Sequence, residues 1–495
     1  MREKQTEKIN IMNTSIKIFA IAILASLTAE AQTDADALRY SIPFIGSTAR
    51  SMATGGAFGA IGADFSNLSN NPAGLGLYRK SEFVFTPSVQ TTTKKSTFFG
   101  TTNVDKKSTL NLQNWGAIFS YKLGKDDDLP EWKYINLGFG MNRYNILSSR
   151  AYIGGQNDIS SIGNYFVNQA NGNASDNLDG FLSGLAYQAY FLNPDTNISG
   201  NYIAASHDAS SLKQTKTINS VGSLGETVIS FAANYANKWY FGGTIGFAKV
   251  SYTERAIFTE DDNKNQSKNF KSFTYEENLT TRGNGVNLKL GTVYKPADWI
   301  RMGLALHTGT AYGLSDTYKA TMTTDFDTTI TQTSSADNAG GYSYTLRTPA
   351  RLIGSVAFII GKYGFISIDN EWLNYRNMML SPTKDFSGIN NLINVKYAQA
   401  NNLKFGAEIN LKPFAVRLGY AMLGNAFGSG YTSNNATTNY TGGVGYRNNN
   451  FFVDVAYVYS QSKADAYYLY SSNLVPSAKT TTQRGTAVVS VGLKW

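Results

Sequence analysis

The sequence predicts an all-β fold: a transmembrane antiparallel β-barrel of about fourteen strands with an N-terminal hatch and long extracellular loops. Three observations carry this. Segments of period-two alternation recur along most of the chain. The connections between them alternate short and long, and an export signal precedes them all. Hydropathy does not oppose the reading, although mean hydropathy is −0.26 and only 42% of residues are hydrophobic. In a barrel, lipid-facing residues alternate with polar lumen-facing ones, so the average stays near zero. A helical membrane protein needs apolar runs of about 20 residues, and none follows residue 31.

The export signal begins at Met12, where Lys17 supplies a positive flank and Ile18 to Leu27 an apolar stretch. Ala29-Glu30-Ala31 then gives an A-x-A cleavage site before Gln32. Residues 1–31 are read as the signal peptide, with Met12 as an alternative start. About ten apolar residues are too few for a membrane anchor.

Strands are expected near 81–93, 110–123, 132–152, 226–236, 239–256, 272–294, 299–316, 342–360, 364–380, 401–411, 414–425, 436–447, 451–466 and 479–495. Leu403, Phe405, Ala407, Ile409 and Leu411 set the pattern, alternating with Lys404, Gly406, Glu408 and Asn410. The links at Asn237-Lys238, Lys295 to Asp298, Gly361 to Tyr363, Lys412-Pro413 and Asn448 to Asn450 are tight, with Gly124 to Glu131 the longest of the short set. Those between are long, polar and rich in Thr, Asn and Ser. A soluble sandwich has no reason to sort its loops by parity, whereas an outer-membrane barrel does. Aromatics at strand ends (Trp132 and Tyr134, Trp239 and Tyr240, Tyr467, Tyr468 and Tyr470) suit two interfacial girdles. The last strand ends the chain on Trp495, resembling the signal read by barrel-assembly machinery.

Residues 32–80 break the alternation, and Gly46 to Gly76 is dominated by Gly, Ala, Ser and Asn. Small residues permit close backbone approach, as a segment threaded through a lumen requires. Composition alone leaves a periplasmic tail as the alternative. The stretch Ala49 to Phe58, followed by Asp64 to Leu75 with Asn71-Pro72-Ala73-Gly74 inside it, resembles the N-terminal hatch of the FadL/TodX family of outer-membrane transport proteins. The chain then divides into signal peptide (1–31), hatch (32–80) and barrel (81–495).

The resemblance implies passive carriage of hydrophobic molecules, such as long-chain fatty acids or aromatic hydrocarbons. In that family the ligand passes from an external groove to an internal pocket, then leaves sideways through a gap at a kinked third strand. Gly138 and Gly140 mark the third strand here, and Gly inside a strand often signals a bend; an ordinary strand position is the alternative. In the long loop 153–225, Leu178, Phe181, Leu182, Leu185, Ala189 and Leu192 recur at helical spacing. They predict a lid helix from Leu178 to Asn193, with Phe181, Leu182 and Leu185 either in a ligand groove or packed on the rim. Phe386, Ile389, Leu392 and Ile393 invite the same reading.

Other chemistry is thin. With no Cys, disulfides, Cys-ligated metals and a lipidated Cys are excluded. The formal charge of +9 is scattered rather than gathered into a nucleic-acid patch. Of two His, His207 falls in a loop and His307 in a strand; no Ser has a nucleophile setting, so His307 reads as structural and no enzyme is expected. Asp126 to Asp128 and Glu260 to Asp262 lack the spacing of a defined Ca²⁺ loop. No cofactor or metal is expected. Passive uptake of a hydrophobic small molecule, by a monomer in the outer membrane of a Gram-negative bacterium, is the leading expectation. Outer-membrane lipid and the assembly machinery are its other partners. A surface adhesion or structural barrel acting through its loops is the alternative.

Overall fold

A computed structural model describes residues 33–42, 46–123, 131–328, 330–338, 341–431, 433–463, 465–470 and 475–495. The expected signal peptide and Asp126 to Asp128 lie outside them. Fourteen antiparallel strands form the wall: β1 (Glu82–Phe98), β2 (Thr101–Lys122), β3 (Trp132–Ile146, resumed as Ser149–Asn157), β4 (Leu212–Tyr235), β5 (Trp239–Asp261), β6 (Phe270–Ala297), β7 (Ile300–His307, resumed as Ala311–Phe326), β8 (Tyr342–Arg347, resumed as Arg351–Ile360), β9 (Gly364–Asn374), β10 (Gln399–Leu411), β11 (Phe414–Leu423), β12 (Thr437–Arg447), β13 (Phe451–Ser462) and β14 (Ala478–Lys494). β1 pairs with β14 from Glu82 against Lys494 to Thr97 against Lys479, which closes the ring. Closure matters because an edge strand in hydrocarbon would leave backbone donors and acceptors unpaired.

Alternation sorts the side chains. Phe83 and Phe85 of β1, Leu137 and Phe139 of β3, Ile229 and Phe231 of β4, and Val489, Val491 and Leu493 of β14 are exposed on the outer face. Their neighbours Thr86, Asn136, Ser230 and Ser490 are buried inside. At the lower rim Trp132 packs on Tyr235, and Trp239 stacks on Tyr294 at 4.2 Å. Tyr467 and Tyr470 do not join a girdle. The Tyr470 hydroxyl, in the loop between β13 and β14, bonds Ser160 and Gln214 inside the upper lumen.

The first hairpin extends beyond the sequence expectation. β1 and β2 stay paired out to Phe98 against Thr101. Their connection is Phe99-Gly100, both in the left-handed region with φ 43° and 74°, as a tight hairpin turn needs. The Thr-rich run reads as loop by polarity, yet β-branched Thr pairs well across strands: Thr91 bonds Ser108 at 2.8 Å and Thr97 bonds Thr102 at 2.9 Å.

The N-terminal segment lies inside the barrel, its residues from 46 onward filling the lower lumen and its first helix reaching the cavity above. It carries the short helices α1 (Asp34–Arg39) and α2 (Ala49–Ala53) and two 3-10 turns, Phe65–Leu68 and Pro72–Leu77. Each begins on a side-chain cap, respectively Thr33, Thr48, Asp64 and Asn71, since short helices otherwise leave their first N–H groups orphaned. Phe65, Leu68, Leu75 and Tyr78 pack against Val84, Ile118, Val228 and Phe452 of the wall. Polar ties join the same surfaces. Ala49 N–H donates to Ser490 Oγ (2.7 Å), Gly59 N–H to Asp369 Oδ2 (2.9 Å), and Thr441 Oγ1 to the Ala53 carbonyl (2.8 Å).

Gly138 and Gly140 do not kink the third strand. Both lie in an unbroken ladder with β2 and β4. A Cβ at Gly140 would come within 2.3 Å of the Trp115 carbonyl and 2.6 Å of Phe65 Cζ, and one at Gly138 within 2.9 Å of Leu75 Cδ2. These glycines leave room for the apolar side chains of the plug. Gly140→Val should therefore lower stability by about 1–3 kcal/mol, as overpacking does, read as an earlier denaturant midpoint in detergent. A midpoint equal to wild type would contradict this fit.

Candidate functional site

The Asn71-Pro72-Ala73-Gly74 motif is a fastening. Pro72 opens its 3-10 turn at the position where a missing N–H costs nothing. The Asn71 side chain accepts from Ala73 N–H (3.2 Å) and donates to the Gly59 carbonyl (2.7 Å) and the Thr292 carbonyl of β6 (3.2 Å). The wall is hollowed to receive it: a Cβ at Gly291 would sit 2.0 Å from Asn71 Oδ1, and one at Gly242 2.4 Å from Pro72 C. At Gly74 a Cβ would meet Asn67 at 2.5 Å. His307 belongs to the same attachment, with Nε2 2.8 Å from the Asn70 carbonyl.

Above the plug, two cavities of about 690 and 540 Å³ occupy the upper lumen. They share Tyr165, Leu182, Lys216, Tyr275 and Glu277. Helix α3 (Ile162–Ala170) and helix α4 (Ser183–Gln188) roof them, while α1 contributes Asp36 and Arg39. Phe181 and Leu182 line this space, whereas Leu185 is buried inside the lid, packed with Phe166, Phe191 and Leu192. The lid helix is shorter than its apolar spacing suggests. Asp179 Oδ1 accepts from Phe181 and Leu182 N–H (2.8 and 2.9 Å), fixing a turn before it, and Tyr190 takes φ 54° after it. Phe386 and Ile393 are buried on helix α5 (Ser387–Lys396) against α1, while Leu392 is exposed.

A buried carboxylate holds the lid down. Glu260, at the extracellular end of β5, accepts from Ser161 Oγ, Ile162 N–H and Gln214 Nε2, each at 2.6 Å. It thus caps α3 from the barrel wall. Burial pushes the Glu260 carboxyl up to about 7, against the three bonds that hold it down.

The wall is interrupted at one flank. β2 and β3 pair from Lys122 against Tyr134 up to Asn114 against Asn142, and no further. Above that level β2 pairs with β1 alone, while β3 shifts register at Arg143–Asn145 and resumes against β4 at Ser149. β2 and β3 thus part after Asn142, and among the described residues their ladder does not resume above it. Side chains span this break: Arg143 Nη1 donates to Asn111 Oδ1 (3.1 Å), and Lys107 Nζ to Asn219 Oδ1 (2.6 Å) and the Ser220 carbonyl (2.8 Å). A small cavity lies against the inner side of the break, lined by Tyr144, Asn145 and Ile146 with Gln90 and Gln113.

This architecture has solved counterparts. A Pseudomonas aeruginosa FadL homologue matches with TM-score 0.53 and 11% identity, over 92% of this chain and 99% of that one. The Pseudomonas putida toluene transporter TodX matches with TM-score 0.52 and 13% identity, over 91% and 99%. The fold is that of the FadL and TodX channels. The CymD monoaromatic hydrocarbon channel also matches, with TM-score 0.50, 11% identity and coverage of 91% and 98%. No family model and no curated protein matches the sequence. Among the described residues no helix is long and apolar enough to cross a membrane, and no cluster of His, Asp and Glu is arranged to hold a metal ion.

Sequence reading offered Phe181, Leu182 and Leu185 as a ligand groove or as rim packing; Phe181 and Leu182 line the cavity and Leu185 does not, and the reading did not single out Lys216, Tyr275, Glu277 or Tyr318. Each sits at an inward position of a long strand, where polarity is expected anyway, so alternation does not reveal how far up the lumen it lies.

Two outcomes follow from these bonds. Asn71→Ala removes a cap and two ties to buried carbonyls, and should cost about 1–3 kcal/mol while releasing the plug to protease before the barrel unfolds. Equal protection of both proteins would refute the fastening role. For Glu260, the folded-state value lies above the ordinary 4.5, so the folded protein binds more protons and stability falls as pH rises from 4.5 to about 7. Glu260→Gln should flatten that slope. Proteolysis of the 158–211 loop across this pH window measures it, and identical pH profiles would count against the assignment.

Proposed function

We propose that the chain belongs to the FadL/TodX family and is an outer-membrane transporter for passive uptake of hydrophobic small molecules, with the N-terminal segment as its hatch. The observation that carries this is the pairing break between β2 and β3, beside a lumen filled below. A solute reaching the upper cavities meets packed side chains beneath it, so a path straight down is closed. The wall break offers a sideways path instead. Delivery into hydrocarbon is favourable for an apolar solute at about 0.8 kcal/mol per buried CH₂, whereas a watery pore offers it nothing. The shared fold with a FadL homologue, a toluene transporter and a monoaromatic hydrocarbon channel supports the same cargo class. The lining of the upper lumen is a scaffold for binding: aromatic faces from Phe166, Phe181 and Phe258, under a roof pinned by Glu260.

Because the chain has no Cys, the sideways exit can be locked cleanly. In the doubly substituted Asn111→Cys, Arg143→Cys protein, a bifunctional thiol reagent should cut uptake of an apolar tracer by about tenfold or more. The unlinked double variant should transport normally. Undiminished uptake through the linked protein would rule out exit between β2 and β3.

A further inference from the structure

The upper lumen is not the lining a plain hydrocarbon calls for. Lys216 and Arg39 face it together with Asp36, Glu254 and Glu277, so two cations stand among three carboxylates. Both cations are engaged. Lys216 Nζ lies 3.6 Å from Glu277 Oε2 and donates to the Leu469 carbonyl at 3.1 Å. Arg39 pairs with Asp36 and lies over the Tyr252 ring at 4.4 Å. An entering carboxylate would meet a net negative lining and would have to take a cation from a partner already desolvated with it. Separating such a pair leaves an uncompensated charge, which costs more than the new contact returns.

The tyrosines add a second constraint. Tyr275 and Tyr318 hydroxyls lie 3.0 Å apart, and Tyr318 also lies 2.9 Å from Glu277 Oε1. Tyr165 and Tyr467 edge the same space. An ionised carboxylate accepts several hydrogen bonds, so Glu277 can take a further donor from a ligand. A hydroxyl placed there donates to the carboxylate and accepts from a phenol. A bare hydrocarbon leaves that remaining acceptor capacity unused while covering it from solvent, and sites built to hydrogen-bond a hydroxyl reject the analogue lacking it. The flanking rings of Phe166, Phe181 and Phe258 suit an aromatic body.

We propose that the upper lumen selects an uncharged amphiphile, a hydroxyl head at the Tyr275–Tyr318–Glu277 cluster with an aromatic body behind it, over carboxylates and over bare hydrocarbons. This rests on the uptake reading above and narrows its cargo.

The test uses the full-length protein in detergent and three matched probes: para-propylphenol, propylbenzene and para-propylbenzoate, at neutral pH by calorimetry. The phenol should bind about tenfold or more tightly than either of the others. Tyr318→Phe should bring the phenol toward propylbenzene and leave propylbenzene unchanged. Glu277→Gln frees the Lys216 charge and should raise benzoate affinity by about tenfold; it reports on charge even if the Tyr variant fails to fold. Propylbenzene binding as well as the phenol, or benzoate binding best, overturns the selectivity while leaving transport standing. If none of the three binds, the proposal fails, and uptake of the same probes into vesicles holding the protein then shows separately whether transport fails with it.

Discussion

A chain of alternating charges across the lower lumen anchors everything above it. Arg50 of the plug grips Glu408 of β10 with two bonds of 2.8 and 2.7 Å. Glu408 also accepts from Arg417 (2.6 Å), which reaches Asp454 (2.7 Å), which in turn meets Arg447. Arg417 and Asp454 are almost completely buried. Burying charges is costly, and the cost is offset only where each charge has well-placed partners of the opposite sign. Here each carboxylate serves two guanidiniums and neither can be removed without stranding the others. Pulling the plug downward would separate Arg50 from Glu408 while exposing Phe65 and Leu75. The lower lumen is therefore closely cross-tied by buried ion pairs between plug and wall.

The same constraint explains where the wall is smooth and where it is hollow. Where the plug backbone and rings come closest, the inward position is glycine, as at Gly140, Gly242 and Gly291, because no room remains for a Cβ. Inward positions that face the open cavity carry Tyr, Lys and Glu instead. One strand shows both: β6 presents Gly291 to Asn71 at its lower end and Tyr275 and Glu277 to the cavity higher up. The side chain at each inward position is set by what fills the lumen at that height.

This is also why the sequence revealed the barrel more fully than the site. Period-two alternation and loop parity give strand existence and direction, since both are enforced locally by hydrocarbon on one side and polar groups on the other. Asn71-Pro72-Ala73 was legible only through its resemblance to a family hatch; the cap and the ties it makes came from the structure. Gly138 and Gly140 left two readings open for a physical reason: a glycine that admits a neighbour and a glycine that bends a strand are the same residue in one sequence. β2 and β3 part above Asn142, where no residue type announces it, because which neighbours a strand keeps is set by register between strands rather than by local sequence. Lys216 and Glu277 come together across β4 and β6 by register, which no local pattern encodes.

The wall break and the cavity chemistry bear on each other. A passive carrier has no energy source, so its binding must be strong enough to draw a solute in and weak enough to let it go. A deep, wholly apolar pocket would hold a greasy solute about as well as the bilayer does and would gain nothing by releasing it. A lining with paired charges and phenols moderates that hold: it offers the polar head a few hydrogen bonds and the apolar body a few aromatic faces rather than a wholly apolar surround. The bilayer beyond Arg143 and Asn111 is then the better solvent for the body, while the headgroup region can receive the head. On the proposed uptake reading, the residues of the cavity and the break set such a gradient toward lipid, while Arg50, Glu408 and Arg417 tie the plug across the downward path.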